Sequence, residues 1–385
     1  MKEYDVVITG AGLAGLCCAR WLAAAGQSVL LIDRKTKLDQ SIHTTGIFVR
    51  RTLEDFSLPD DCLGPPVRDV KLYSPRRQTI ELASPHDEFR VGKMGRLYHH
   101  LLEAAIRTGA EWSPATSFVR SNAVAGGSNI ELEKHQQRMK VSARFIIGAD
   151  GANSRVARDL GLSLNREWII GVEQVYDSRA VDLPAGLHCF LDPRIAPGYI
   201  AWLAHDGGEM HIGVGGYADR FEPKACLERF HEELASTFPL AAARFVEQRG
   251  GRIPVGGLLP EIVCERGLLV GDAAGAVSPL TAGGLDPCLR QSALAAKVIG
   301  ELLASGDASR LAAYRSTPFR RRFRLRHVLR RSFRQINQPW LAEVSFLALR
   351  TFPFRLLARH IFFGRGSFPM RDREFASLPA MQEAG

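Results

Sequence analysis

The apolar and polar positions alternate with distinct periods along the chain, and those periods predict its elements. Residues 4–9, YDVVIT, read as a short buried strand. Glycines follow, then an apolar stretch from Leu13 to Ala25 with helical composition, which Gly26 closes as a C-terminal glycine does. Residues 28–32, SVLLI, read as a second strand, so the first thirty residues make a βαβ unit with parallel strands. A helix is expected over 97–108 and a strand over 141–147 running into Gly148. From about 168 to 216 the texture changes: segments such as 198–204 and 210–214 have strand composition and are separated by Gly, Pro and Asp. Helices are expected over 221–236 and 284–304, with a last buried strand at 267–270. The remainder is rich in Arg and Phe and reads as helical.

Nucleotide-fold texture at both ends of a β-rich stretch predicts an α/β protein whose cofactor domain is discontinuous. The expected division is 1–75, 90–167 and 265–310 for a Rossmann-type domain. An inserted antiparallel β substrate domain takes 76–89 and 168–264, and a basic helical region takes 311–385. Composition agrees with a globular chain: 385 residues, 46% hydrophobic and 24% charged. Seven cysteines, an odd number with no CxxC pair, argue against a disulfide framework or a zinc site. No metal is expected. The N-terminus lacks signal-peptide character and no run approaches the ~18 apolar residues of a membrane span. The expected location is cytoplasmic, with membrane association left open.

Gly10-Ala11-Gly12-Leu13-Ala14-Gly15 sits between strand and helix and matches GxGxxG. Gly10 permits the tight turn, Gly12 lets the backbone approach a pyrophosphate, and Gly15 lets the helix pack close to the strand. Ala14 lies in the first helical turn, whose free amides face the phosphates. Asp33 ends the second strand, where an acid can bind an adenosine ribose, and Arg34 beside it could meet a 2′-phosphate. This motif alone does not separate NAD(P) from FAD.

Two later motifs each follow a buried strand. One runs Gly148-Ala149-Asp150-Gly151-Ala152-Asn153-Ser154-Arg155; the other is GDAAGAVSPLTAGGLD over 271–286. The three in this order resemble FAD-dependent oxidoreductases of the p-hydroxybenzoate hydroxylase-like fold. The last one looks like the geranylgeranyl reductase family, because Gly275 and Asp286 stand where aromatic hydroxylases more often carry His and Asn. Ala196-Pro197-Gly198-Tyr199-Ile200-Ala201-Trp202 resembles that family's Pro-Gly-Gly-Tyr-x-Trp strand. The chain departs from the family at His205, in place of a proline. It departs again at His43-Thr44-Thr45-Gly46, in place of a Cys-Gly-rich loop, and at Met94, in place of an arginine.

The resemblance implies non-covalent FAD, with Asp150, Asp272 and the Gly283-Gly284-Leu285 amides among the residues that hold it. It implies hydride transfer to or from a carbon–carbon double bond of a hydrophobic, isoprenoid- or lipid-like substrate. The external reductant would be NAD(P)H or a small electron carrier; no second GxGxxG is present, so no dedicated nicotinamide domain is expected. An isolated alkene also needs a proton on its second carbon. His43, Tyr199 and His205 are candidate donors or shapers, and Trp202 a candidate hydrophobic wall. The alternative enzyme reading is a flavin monooxygenase acting on an aromatic or polyketide-type substrate. No WxWxIP segment supports a halogenase.

The net charge of +9 is concentrated. Thirteen arginines against one acid, Glu343, make residues 315–365 +12 and leave the remainder at −3. Such a segment suits an anionic membrane surface or an acidic carrier protein; no nucleic-acid module accompanies it. Apolar positions at 319, 323, 325, 328, 329, 333 and 336 approximate a helical stripe. That stripe fits either a lipid interface or the outside of the cofactor domain.

Overall fold

The structure is a computed structural model that describes residues 1–364, apart from the side chains at 317–319, 321 and 322. The expectations for 365–385, including Arg365, lie outside the described residues. Among the described residues the α-helices are α1 (Leu13–Ala24), α2 (Arg50–Asp55), α3 (Met94–Arg107), α4 (Arg155–Asp159), α5 (Pro223–Ala235), α6 (Leu285–Ser305), α7 (Thr317–Arg334), α8 (Pro339–Leu349) and α9 (Phe352–Phe363).

The first sheet has eight strands. Its path runs 263–264, 267–269, 137–148, 2–9, 29–32 and 111–113. An antiparallel meander, 116–124 and 127–134, extends it through 137–148. The apolar runs VVI, VLLI and FII bury side chains on both faces, as parallel strands between helices require. Their register sets the site. Thr9 aligns with Ile32 on one side and Gly148 on the other, and Gly148 aligns with Leu269. The loops after all these strands therefore leave the sheet at one edge, where ligands of open parallel sheets bind.

The second sheet has seven strands in the order 244–254, 168–177, 209–216, 201–205, 186–190, 70–73, 79–82. One face packs on α5, with Phe230 and Leu234 against Phe190, Leu203 and Ile212. A small third sheet, 47–49, 89–92 and 63–67, lies between these two in sequence.

Two details differ from the sequence reading. Val70–Tyr73, expected in the cofactor unit, pairs in parallel with 186–190 in the second sheet. Its side chains join the cluster of Ile80, Leu82 and Cys189, so burial rather than chain position decides its sheet. Residues 198–200 are a turn rather than strand, because Gly198 adopts φ +71° and the strand begins at Ala201.

Candidate active site

The cradle is built from backbone. A methyl group on Gly10 would sit 2.3 Å from the Ala149 carbonyl oxygen, and Gly10 has φ +103°. A methyl on Gly15 would sit 1.8 Å from the Gly10 carbonyl oxygen, so the turn and α1 close on each other only without side chains. Gly12 is different. Nothing lies within 4 Å of a side chain placed there, so the space before it is open. Ala14 is buried beneath this turn, against Gly271.

Acidic groups surround that space. Asp33 accepts from the amides of Ala11 (2.7 Å) and Lys35 (2.8 Å), tying the glycine turn to the end of its strand. Arg34 beside it is exposed. Asp150 accepts from the Arg155 and Val156 amides through Oδ2, while its Oδ1 is buried without a partner among the described residues. Burial pushes the Asp150 carboxyl up. Arg155 points elsewhere, its guanidinium reaching the Phe118 carbonyl. The Asp272 carbonyl accepts from Asn165 Nδ2 at 2.8 Å, whereas its carboxylate accepts no hydrogen bond from the described residues and lies 3.7 Å from where a Gly284 side chain would begin. Burial alone raises its pKa to about 6. It is not a helix cap: Val270 precedes the short 3₁₀ turn it occupies. Gly283, Gly284 and Leu285 lead into α6, where the first-turn amides are free.

Asp286 resolves one departure from the hydroxylase pattern. It is buried and paired at 2.8 Å with the buried Arg290, which also holds Asp55 at 2.6 Å; Thr52 donates to it at 2.9 Å. The acid therefore ties α6 to α2.

The second sheet presents its other face to the 43–46 loop. Glycines at alternate positions form a shelf there. The Trp202 ring lies within 2.2 Å of a side-chain position at Gly213, and the Tyr199 ring within 2.6 Å of one at Gly215. Tyr199 donates its hydroxyl proton to the Thr281 carbonyl at 2.8 Å, which joins this wall to the loop before α6. Burial pushes its phenol well above its ordinary value, so Tyr199 is a neutral brace whose proton is already engaged. His43 donates through Nδ1 to the Gly250 carbonyl at 2.7 Å and is otherwise exposed. His205 is buried at the far end of its strand, near the Pro184 carbonyl, and does not join the others.

Sequence reasoning missed the charged cluster beside Trp202. The buried Glu173 carboxylate accepts from Thr45 Oγ1 at 2.6 Å and from Trp202 Nε1 at 3.3 Å. Its other oxygen lies 3.5 Å from His211 Nδ1 and 3.6 Å from Arg249 Nη1. Arg249 also donates to the Thr44 carbonyl at 3.0 Å, and Glu209 sits 3.6 Å from His211 Nε2. Burial opposes a charge on His211, but Glu173 and Glu209 outweigh it and raise its pKa to about 9. Burial likewise works against the Glu173 carboxylate, yet His211, Thr45 and Arg249 hold its pKa below the ordinary value. The available signal was a polar residue at the inward position of each strand: Glu173 in GVEQV and His211 in EMHIG.

α7 closes one side. Arg326 donates to Ser278 Oγ at 2.7 Å. Arg330 is buried, donates to Tyr217 Oη at 2.9 Å and stacks over the Tyr199 and Tyr217 rings. Both arginines, read from sequence as part of a cationic outer face, turn inward onto the loop before α6 and the aromatic wall.

Comparison with known proteins agrees with this geometry. The FAD binding domain family matches residues 3–192. Digeranylgeranylglycerophospholipid reductase 2 of Methanopyrus kandleri is 30% identical over 319 residues, covering 80% of this chain and 79% of that protein. The chain belongs to the geranylgeranyl reductase family of FAD-dependent oxidoreductases. A geranylgeranyl bacteriochlorophyll reductase-like protein from Thermoplasma acidophilum superimposes with a TM-score of 0.82 at 21% identity, covering 95% of this chain and 98% of that one. The p-nitrophenol 4-monooxygenase of Pseudomonas putida gives 0.68 at 17% identity, covering 97% and 96%. At those identities the two structures share the fold alone. The unpartnered acceptors of Asp150 and Asp272, with the open space before Gly12, fit the hydroxyl- and phosphate-bearing chain of FAD.

Proposed function

We propose that this family member saturates carbon–carbon double bonds of an isoprenoid lipid. What supports the substrate class is the named reductase relative together with the apolar wall of Tyr199 and Trp202, which packs with Ile169, Ile253 and Ala282 beside the loop before α6. Gly10, Gly12, Ala14 and Gly15 would receive the pyrophosphate, Asp33 the adenosine ribose and Asp272 a ribityl hydroxyl. Arg34, exposed at the strand end, would lie beside the adenosine. Asp150 would brace the pyrophosphate side. The Gly283, Gly284 and Leu285 amides, at the positive end of α6, would stabilise negative charge on the pyrimidine edge. When bound and reduced, FAD supplies a hydride to one alkene carbon.

The second carbon takes a proton. Tyr199 is engaged with Thr281, so Tyr199 and Trp202 orient the substrate rather than protonate it. His43 caps the loop over the sheet. The proton reserve nearest Trp202 is the Glu173–His211 pair, which Glu209 links to the exterior. The reducing equivalents would come from NAD(P)H or a small electron carrier. The substrate reaches the enzyme from an anionic lipid surface, and the arginine-rich C-terminal region meets that surface.

Mass spectrometry of lipid extracts, made with and without the active enzyme, tests the reading. The substrate lipid should gain two hydrogens for each double bond reduced. A gain of oxygen instead would establish the hydroxylase reading.

A further inference from the structure

Within the arginine-rich C-terminal region, α8 and α9 expose the most large apolar side chains. Their inner sides are committed. Phe346 and Ala358, with Leu349, Phe362 and Phe363, pack on Val70, Leu72 and Ile80 of the second sheet and on Phe89 of the third. Glu343 turns inward, accepting from Ser74 Oγ at 2.9 Å and from the Arg76 amide. Their outer sides are bare. Trp340, Val344 and Leu347, at i, i+4 and i+7, are 66%, 55% and 49% exposed; Phe352, Phe354 and Leu356 follow at 76%, 48% and 51%.

Six large apolar side chains in seventeen residues exceed the scattered exposure normal for a protein surface. Cations flank them: Arg350, Arg355 and Arg359 are exposed. The one acid between 315 and 364 is the buried Glu343, so α8 and α9 themselves carry no exposed carboxylate; Glu81, whose carbonyl Arg355 reaches, lies on the adjoining strand. Among the described residues no helix is long and apolar enough to cross a membrane.

We propose that the outer face of α8 and α9 is a monotopic membrane-docking surface: its aromatic and aliphatic side chains enter the interface of an anionic bilayer, and its arginines meet the lipid headgroups. The combination of an apolar stripe, flanking cations and an absence of acids is what distinguishes a lipid interface from a purely acidic protein partner. α7 also exposes Leu325 and Val328, but its Arg326 and Arg330 are engaged with the cofactor loop and the aromatic wall, so the larger apolar surface with exposed cations is that of α8 and α9. The inference rests on the lipid-substrate reading only for its purpose; the binding itself can be measured without turnover.

The test uses the full FAD-loaded protein, sedimented with vesicles of phosphatidylcholine carrying increasing phosphatidylglycerol, then with increasing sodium chloride. The bound fraction should rise with phosphatidylglycerol and fall with salt. The double variant Trp340→Ser/Phe352→Ser should bind about tenfold more weakly or worse, since each side chain removes apolar area from the interface. Its flavin content and melting temperature should match the parent, because both side chains are exposed. Arg350→Gln/Arg359→Gln should weaken binding and flatten the salt dependence. Protein that stays in the supernatant with fully anionic vesicles at low salt overturns the proposal. So does binding that the apolar double variant retains in full, which would mark an electrostatic surface suited to an acidic carrier. Reduction of a detergent-dispersed isoprenoid, measured in parallel, keeps the two readings apart: activity without vesicle binding removes this inference and leaves the function standing.

Discussion

At the scale of single residues, the cradle's glycines are not equivalent. Gly10 and Gly15 are fixed by contact with backbone, so enlarging either disturbs the fold itself. Gly12 has an ordinary extended backbone, φ −77° and ψ −176°, and faces open space. Gly12→Leu should therefore purify folded but colourless, with an unchanged far-ultraviolet spectrum; retention of the flavin absorption band would contradict the cradle. Asp272 gives a second prediction. Its half-buried carboxylate accepts no hydrogen bond from the described residues, and burial raises its pKa, so ionisation at neutral pH disfavours the FAD-free fold. Asp272→Asn should raise the melting temperature of the FAD-free protein. It should also weaken FAD by ~1.5–3 kcal/mol, the usual worth of a hydrogen bond involving a charged group. Titrating both variants with FAD and following their melting checks the pair of effects. The cradle was legible in the sequence because its requirement is local: a turn, a close approach and a helix start within six residues. Glu173, His211 and Arg249 were not, because they come from three strands brought together only by sheet register.

At the scale of elements, buried charges join parts that are distant in sequence. Arg290 on α6 holds Asp286 and Asp55. Removing it leaves buried acid uncompensated, so Arg290→Ala should cost ~3–5 kcal/mol in denaturant unfolding. The Glu173–His211–Glu209 group, with Arg249 opposing it, joins the 43–46 loop to the second sheet. His211 titrates at about 9 when folded against 6.5 ordinarily. Its raised value means that its stabilisation is complete below pH 6.5 and disappears as pH rises through 9. Melting temperature should fall across that window in the parent, and the slope should flatten in His211→Gln. An identical slope in both would remove His211 as its source. The strands and α1, α5 and α6 were legible because one apolar period serves each. The inward turn of α7 was not, because its arginines are spaced as a solvated face would be, and only Tyr217, Tyr199 and Ser278 reveal which of them are engaged.

At the scale of the whole molecule, parallel strands open their loops at one edge, and a second sheet supplies an aromatic wall whose Tyr199 bonds the loop before α6. The buried Glu173–His211 pair lies beside that wall, and α7 closes one side. This assembly accommodates hydride delivery to an apolar double bond with protonation from the protein side. The measurement that tests it most directly is a single turnover without oxygen. The FAD-loaded protein, reduced with one equivalent of a two-electron donor, is mixed with a geranylgeranyl lipid. The account predicts that the oxidised-flavin band returns as the lipid gains two hydrogens per turnover. A band that returns only when oxygen is admitted, with a lipid that has gained oxygen or remains unchanged, would contradict it.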